Sequence, residues 1–141
     1  QITSDHGWMP GPHDSNLKET IQLLKDKSSN SKISLFIDNI VGVDYASKMN
    51  VDLIEIHTGK FSKGIDKNDM SVVDEIKKII EHAQNNNLLI NAGHDLNLNN
   101  LNYLVEIGNI NEVSIGHAII IDSLHYGFEN TISKYLNIIR K

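Results

Sequence analysis

The chain has 141 residues, of which 40% are hydrophobic and 22% charged, with a formal net charge of −5. That suffices for one domain around one buried core, and the acidic balance excludes nucleic acid as the main partner, because phosphate neutralisation needs clustered Lys and Arg. Cysteine is absent, which removes disulfides, thiolate catalysis and cysteine-based zinc sites, and no apolar run reaches the roughly 18 residues of a membrane span.

A small phosphorylated ligand stays within reach, since backbone N–H groups and one or two cations can hold it. No signal peptide is visible, so a cytoplasmic location is the default expectation. The opening Gln1-Ile2-Thr3 reads as the tail of a strand cut off upstream, and a fragment is expected.

In chain order, Asp5 to Ser15 reads as a loop, broken by Gly7, Pro10, Gly11 and Pro12. Trp8 and Met9 within it are expected to pack over something. Asp14 or Ser15 is placed to cap a helix over about Leu17–Lys27. Ile33 to Ile37 is a strand, apolar on both faces as a buried parallel strand would be. A short helix over about Val41–Met49 carries Val41, Tyr45 and Met49 at a spacing of four. Leu53 to Ile56 is the next strand, and His57 to Asn68, with Gly59 and Gly64, reads as a loop.

Ser71 starts the clearest helix, with Ser71 and Asp74 as a capping-box-like pair and Val72, Val73, Ile76, Ile79, Ile80 and Ala83 on one face. Leu88 to Asn91 is a strand, and Leu101, Leu104 and Val105 mark the helix after it. Val113 to Ile115 is the last strand. Ile119-Ile120-Ile121 suggests a short extra helix, and a final helix over about Phe128–Arg140 is expected to bury Phe128, Ile132, Tyr135, Leu136 and Ile139.

Such βα alternation implies an α/β fold, a single domain with a parallel sheet and helices outside. Four and a half βα units make a little over half of an eightfold (β/α)₈ TIM barrel, whose usual length is about 250 residues. The short helix after the last strand favours the barrel over an open sheet, because such barrels often seat a phosphate there.

Three strand-like runs end in or just before a histidine: His57, His94 and His117. In parallel α/β folds the strand C-termini share one side, and that side carries the chemistry. Glu55 lies inside the apolar run Ile54-Glu55-Ile56, where a carboxylate is costly unless paired or functional. It is either an inward salt bridge or an acid, base or electrostatic stabiliser. His94 follows the small pair Ala92-Gly93 and suits proton transfer, against the plainer role of bonding a loop. Gly116-His117 suits phosphate binding by backbone N–H groups, against a tight βα turn. Thr58 and Gly59 open to a ligand or simply make the turn. His6, His13, His82 and His125 read as solvent-facing or packing residues. A facial metal cluster of His57, His94 and His117 is the weaker reading, because second-shell acids are not evident beside them.

Five segments together resemble pyridoxine 5′-phosphate synthase of vitamin B6 biosynthesis. They are Gln1-Ile2-Thr3-Ser4-Asp5-His6-Gly7, Ser34-Leu35-Phe36-Ile37-Asp38, Ile54-Glu55-Ile56-His57-Thr58-Gly59, Asn91-Ala92-Gly93-His94 and Ile115-Gly116-His117-Ala118-Ile119-Ile120. They occur in family order and match the C-terminal part of that enzyme, from the end of its fourth barrel strand. The resemblance implies a (β/α)₈ barrel with added helices, assembled as homo-octamers. It also implies condensation of 3-amino-2-oxopropyl phosphate with 1-deoxy-D-xylulose 5-phosphate to pyridoxine 5′-phosphate, phosphate and water, with no metal or organic cofactor.

By the same resemblance Glu55 stabilises the transition state and His94 donates a proton. Gly116 and His117 hold the aminoketone phosphate, Thr3 contacts the deoxyxylulose phosphate, and Asp95 is a further substrate contact. Asp95 stands where some members have glycine, and Phe61 where tyrosine is common. The family's other bases, a histidine and a glutamate, and its substrate-binding arginines belong to the upstream half, so this chain alone is expected not to be competent. Two other classes compete: a different phosphate-binding barrel of aldolase or isomerase type, and a non-catalytic half-barrel assembly module. The first often uses a strand-end lysine, and only Lys60 lies just past a strand.

Overall fold

The structure, a computed structural model, describes residues 6–28 and 30–140. Four strands alternate with seven helices among them: α1 (Asp14–Lys27), β1 (Ser34–Ile37), α2 (Ile40–Lys48), β2 (Leu53–His57), α3 (Gly59–Asp66), α4 (Ser71–Asn85), β3 (Leu89–Gly93), α5 (Leu101–Ile107), β4 (Glu112–Ser114), α6 (His117–Tyr126) and α7 (Phe128–Ile139). The strands form one parallel sheet in the order β1-β2-β3-β4. The expected α/β fold is therefore present, as a parallel sheet in which strands adjacent in space are also adjacent in sequence.

The two faces of the sheet differ. Leu35, Ile37, Ile54, Ile56, Ile90 and Ala92 are buried, and they join Val43, Ala46, Ile76, Ile80 and Leu104 of the helices in one core. Successive strand residues point to opposite faces, so Phe36, Glu55, His57 and Asn91 lie on the other face, where burial is only partial. β1 is thus apolar on both faces but buried on one, a correction to the reading of a strand buried throughout.

α4 buries Val72, Ile76, Ile79, Ile80 and Ala83, the stripe its sequence period predicts. Its start differs from the capping box. Met70 is the N-cap, and Asp69 Oδ1 accepts bonds from the Ser71 N–H at 3.1 Å and its hydroxyl at 2.6 Å. α1 also lacks a side-chain cap. Asp14 is occupied elsewhere, its Oδ1 accepting from Gly11 N at 2.8 Å and the Tyr45 hydroxyl at 2.7 Å.

The stretch 59–66, expected as a loop, is α3. Its two glycines are close-packing positions and not breakers: Val72 lies against Gly64 where a side chain would stand, while Phe61 and Ser62 are buried. α7 is turned differently from its apolar pattern. Thr131 and Tyr135 are buried, whereas Phe128 is 65% exposed and Ile139 40%. The Tyr135 hydroxyl, donating to Asp122 Oδ2 at 2.7 Å, ties α7 to α6 and sets that rotation. Trp8 and Met9, expected to be covered, are each about half exposed.

The segment before α1 is fastened to the C-terminal end of β1. Trp8 N–H donates to Phe36 O at 2.7 Å, and Gly7 N–H to Asp38 Oδ2 at 2.6 Å. A side chain at Gly7 would put its Cβ 2.5 Å from Ile37 Cα and 2.7 Å from Asp38 N, backbone atoms that cannot step aside. Gly7→Ala is therefore expected to destabilise the fold by about 1–3 kcal/mol, read as a lowered urea midpoint with an unchanged slope.

Candidate active site

In the parallel register Glu55 of β2 lies opposite Asn91 of β3, and Asn91 opposite Glu112 of β4; His57, Gly93 and Ser114 form the next row. His94 follows β3 directly, and Gly116 and His117 stand at the β4–α6 junction. The expected residues of these strands thus meet along one rim. Thr3 lies outside the described residues.

Glu55 reaches across its neighbour strand. Its Oε1 would be 2.5 Å from a Cβ at Gly93, so only glycine there leaves the carboxylate its place. Burial pushes the Glu55 carboxyl above its ordinary value, a hydrogen bond with Ser114 opposes the shift, and the charge of Glu112 adds to it. A half-buried carboxylate held this way, without a cation beside it among the described residues, is set up to meet positive charge from a ligand.

His94 is held by its backbone. Buried Thr58 donates from Oγ1 to His94 O at 2.6 Å and from N to Gly93 O at 2.8 Å. Thr58 therefore makes the turn. His94 has φ 94° and Asp95 φ 56°, both in the left-handed region that L-residues seldom occupy and that glycine enters freely. That conformation is a physical reason for glycine to be acceptable at position 95. The Asp95 carboxylate lies 3.2 Å from His94 Nδ1.

His57 is packed more tightly. Asp38 Oδ1 lies 3.1 Å from His57 Nδ1, and the His57 and His94 rings meet edge to face with centroids 4.4 Å apart. Burial, followed by the neighbouring His94, holds the His57 imidazole below its ordinary value, while Asp38 and Asp95 pull the other way. His57 is therefore neutral near pH 7.

His94 separates two clefts. One, of about 530 Å³, is lined by Ser62, Lys63, Asp95, Ser114, Gly116 and His117 among others. The second, of about 510 Å³, lies over Gly59 and is lined by His57, Lys60, Lys63 and Lys67. Gly116 is the N-cap of α6, and the space beside its Cα is open, so α6 presents its N-terminal N–H groups and dipole to the first cleft. Ser62 is almost fully buried, and its hydroxyl has no partner among the described residues. Ser62 and Lys63 were missed from sequence because their helix reads as a glycine-broken loop; only the Phe61/Ile65 spacing signals it. Lys60, the strand-end lysine, is tied to Glu75 at 2.7 and 2.8 Å. Among the described residues no three His, Asp or Glu side chains form a group able to hold a metal, and no helix is long and apolar enough to cross a membrane.

The whole chain, residues 1–141, matches the family described as pyridoxal phosphate biosynthesis protein PdxJ. The chain belongs to that family. It is 40% identical to the pyridoxine 5′-phosphate synthase of Cytophaga hutchinsonii, over 99% of this chain and 59% of that protein. Its identity to the synthase of Christiangramia forsetii is 37%, and to that of Bacteroides thetaiotaomicron 35%, with the same coverage of 99% and 59%. The chain thus spans about three fifths of the length of the curated relatives it matches. The family resemblance read from the five segments is borne out.

Proposed function

We infer that this chain supplies the C-terminal part of the active site of a pyridoxine 5′-phosphate synthase, its four strands forming an arc of a (β/α)₈ barrel. The reaction is condensation of 3-amino-2-oxopropyl phosphate with 1-deoxy-D-xylulose 5-phosphate, giving pyridoxine 5′-phosphate, inorganic phosphate and water. The observation that carries the reading is the joint placement of Glu55, His94 and the α6 N-terminus on one rim. Amine addition to a ketone, dehydration and aromatisation form a series of proton transfers, which need an acid and a stabiliser of cationic intermediates within reach of one substrate. His94 fits the first role and Glu55 the second.

Gly116 and His117 hold the aminoketone phosphate through the helix N-terminus, Lys63 adds a cation at the same cleft, and Asp95 contacts substrate. Thr3 contacts the second phosphate. The remaining bases and the substrate-binding arginines come from residues upstream of this chain, and the assembled enzyme is a cytoplasmic homo-octamer with no cofactor. The full-length protein is expected to form pyridoxine 5′-phosphate from the two substrates. A crystal of it soaked with phosphate is expected to show the anion on the Gly116 N–H, next to His117. Inactivity of a folded full-length protein, or an anion bound elsewhere with this turn empty, would end the reading.

A further inference from the structure

Asp38 uses both of its oxygens. Oδ2 accepts from Gly7 N–H at 2.6 Å, and Oδ1 lies 3.1 Å from His57 Nδ1. A carboxylate only accepts, so His57 must carry its proton on Nδ1, and its Nε2 is a bare acceptor. That Nε2 is buried and has no partner among the described residues; the same holds for His94 Nδ1. A buried unpaired ring nitrogen is costly, and here two share one small space. Measured from the point where a Gly59 Cβ would stand, His57 Nε2 is 3.2 Å away and His94 Nδ1 3.4 Å. Gly59 leaves the two rings room to face each other, and their edge-to-face contact at 4.4 Å presents one to the other.

We propose that His57, held by Asp38, is a positioning residue for His94: His57 Nε2 accepts a hydrogen bond from His94 Nδ1–H, directly or through one water, and so turns His94 Nε2 toward the substrate. This rests on the functional reading above, because it gives the proton donor its orientation. When His94 is charged, both its nitrogens carry protons; Nδ1–H stays on His94, directed at His57 Nε2, and Nε2–H is the one delivered. A neutral His57 stabilises that imidazolium as an acceptor without adding a second positive charge. The burial that keeps His57 neutral serves this role. The charged groups around the pair are Asp38 and Asp95 on the rim and Lys60, Lys63, Lys67 and Asp69 of the neighbouring cleft. Asp95 is the competing partner for His94 Nδ1, at 3.2 Å but out of line for a hydrogen bond.

The test uses the full-length protein with ¹⁵N-labelled histidine. In the wild type the ring shifts of neutral His94 are expected to show the proton on Nδ1. His57→Phe keeps a ring and removes the acceptor; it should mix the His94 tautomers. It should also reduce kcat about tenfold or more with KM changed little. Asp38→Asn should do the same more weakly, and His57→Gln, which restores an acceptor near Nε2, should recover part of the rate. Unchanged His94 shifts in His57→Phe, with a change instead in Asp95→Gly, would overturn the proposal. If the wild type makes no product, the functional reading fails while the nitrogen shifts still decide this one.

Discussion

Glu55→Gln in the full-length protein is expected to lower turnover by roughly 10²-fold or more while the fold is kept and becomes more stable. The substitution preserves shape and removes charge. Glu55 faces no cation among the described residues, is half-buried on β2, and its carboxyl is pushed above the ordinary value by burial. A folded-state value above the unfolded one means that the folded protein holds the proton more tightly. Stability from this group is complete at pH below its ordinary value and falls as pH rises through the raised one. At neutral pH the wild type therefore bears a cost that glutamine does not. Urea denaturation should show the variant gaining on the wild type as pH rises above the ordinary value of a glutamate. The same charge that costs stability has to meet cationic intermediates in the reaction. Unchanged turnover with the stability gain would leave Glu55 no role in the chemistry.

His94→Asn is expected to reduce kcat by about 10²- to 10⁴-fold. Asparagine suits this site because it tolerates the left-handed backbone better than most residues, and φ at position 94 is 94°. The bond that pins the turn runs from the Thr58 hydroxyl to the backbone oxygen of residue 94, so it survives the change. Folding, read from the denaturation midpoint, should move little, and KM should stay within a few-fold. The loss should appear in single-turnover experiments, where product release plays no part. A variant that keeps the wild-type rate would reduce His94 to a residue that shapes its loop.

Much of this architecture is legible in the residues, for a simple reason. Ile54, Ile56, Ile90 and Ala92 need burial and set the strands, and the α4 stripe has the helical period. The rim follows, because parallel strands place their C-termini on one side. The failures share a cause as well. α3 was concealed because glycine has two uses, turning the chain and letting elements touch, and at Gly59 and Gly64 the second one operates. α7 was misjudged because hydrophobicity alone does not register the Tyr135–Asp122 bond. The pairing of Asp38 with His57 could not be read at all. The two residues belong to different strand ends, and only the register that sets β1 beside β2 brings them together.

The order of the sheet also bears on how the chain reaches its fold. Each strand pairs with the one before it and the one after it in sequence, and no later strand has to insert between two earlier ones. Register partners are about twenty residues apart between β1 and β2 and between β3 and β4, and nearly twice that between β2 and β3 (Leu53 and Leu89), and because loop-closure entropy grows only slowly with length the cost stays modest. Contacts this local favour quick folding. Synthesis from the N-terminus also delivers these groups in the order in which they pack, Asp38 before His57 and His57 before His94.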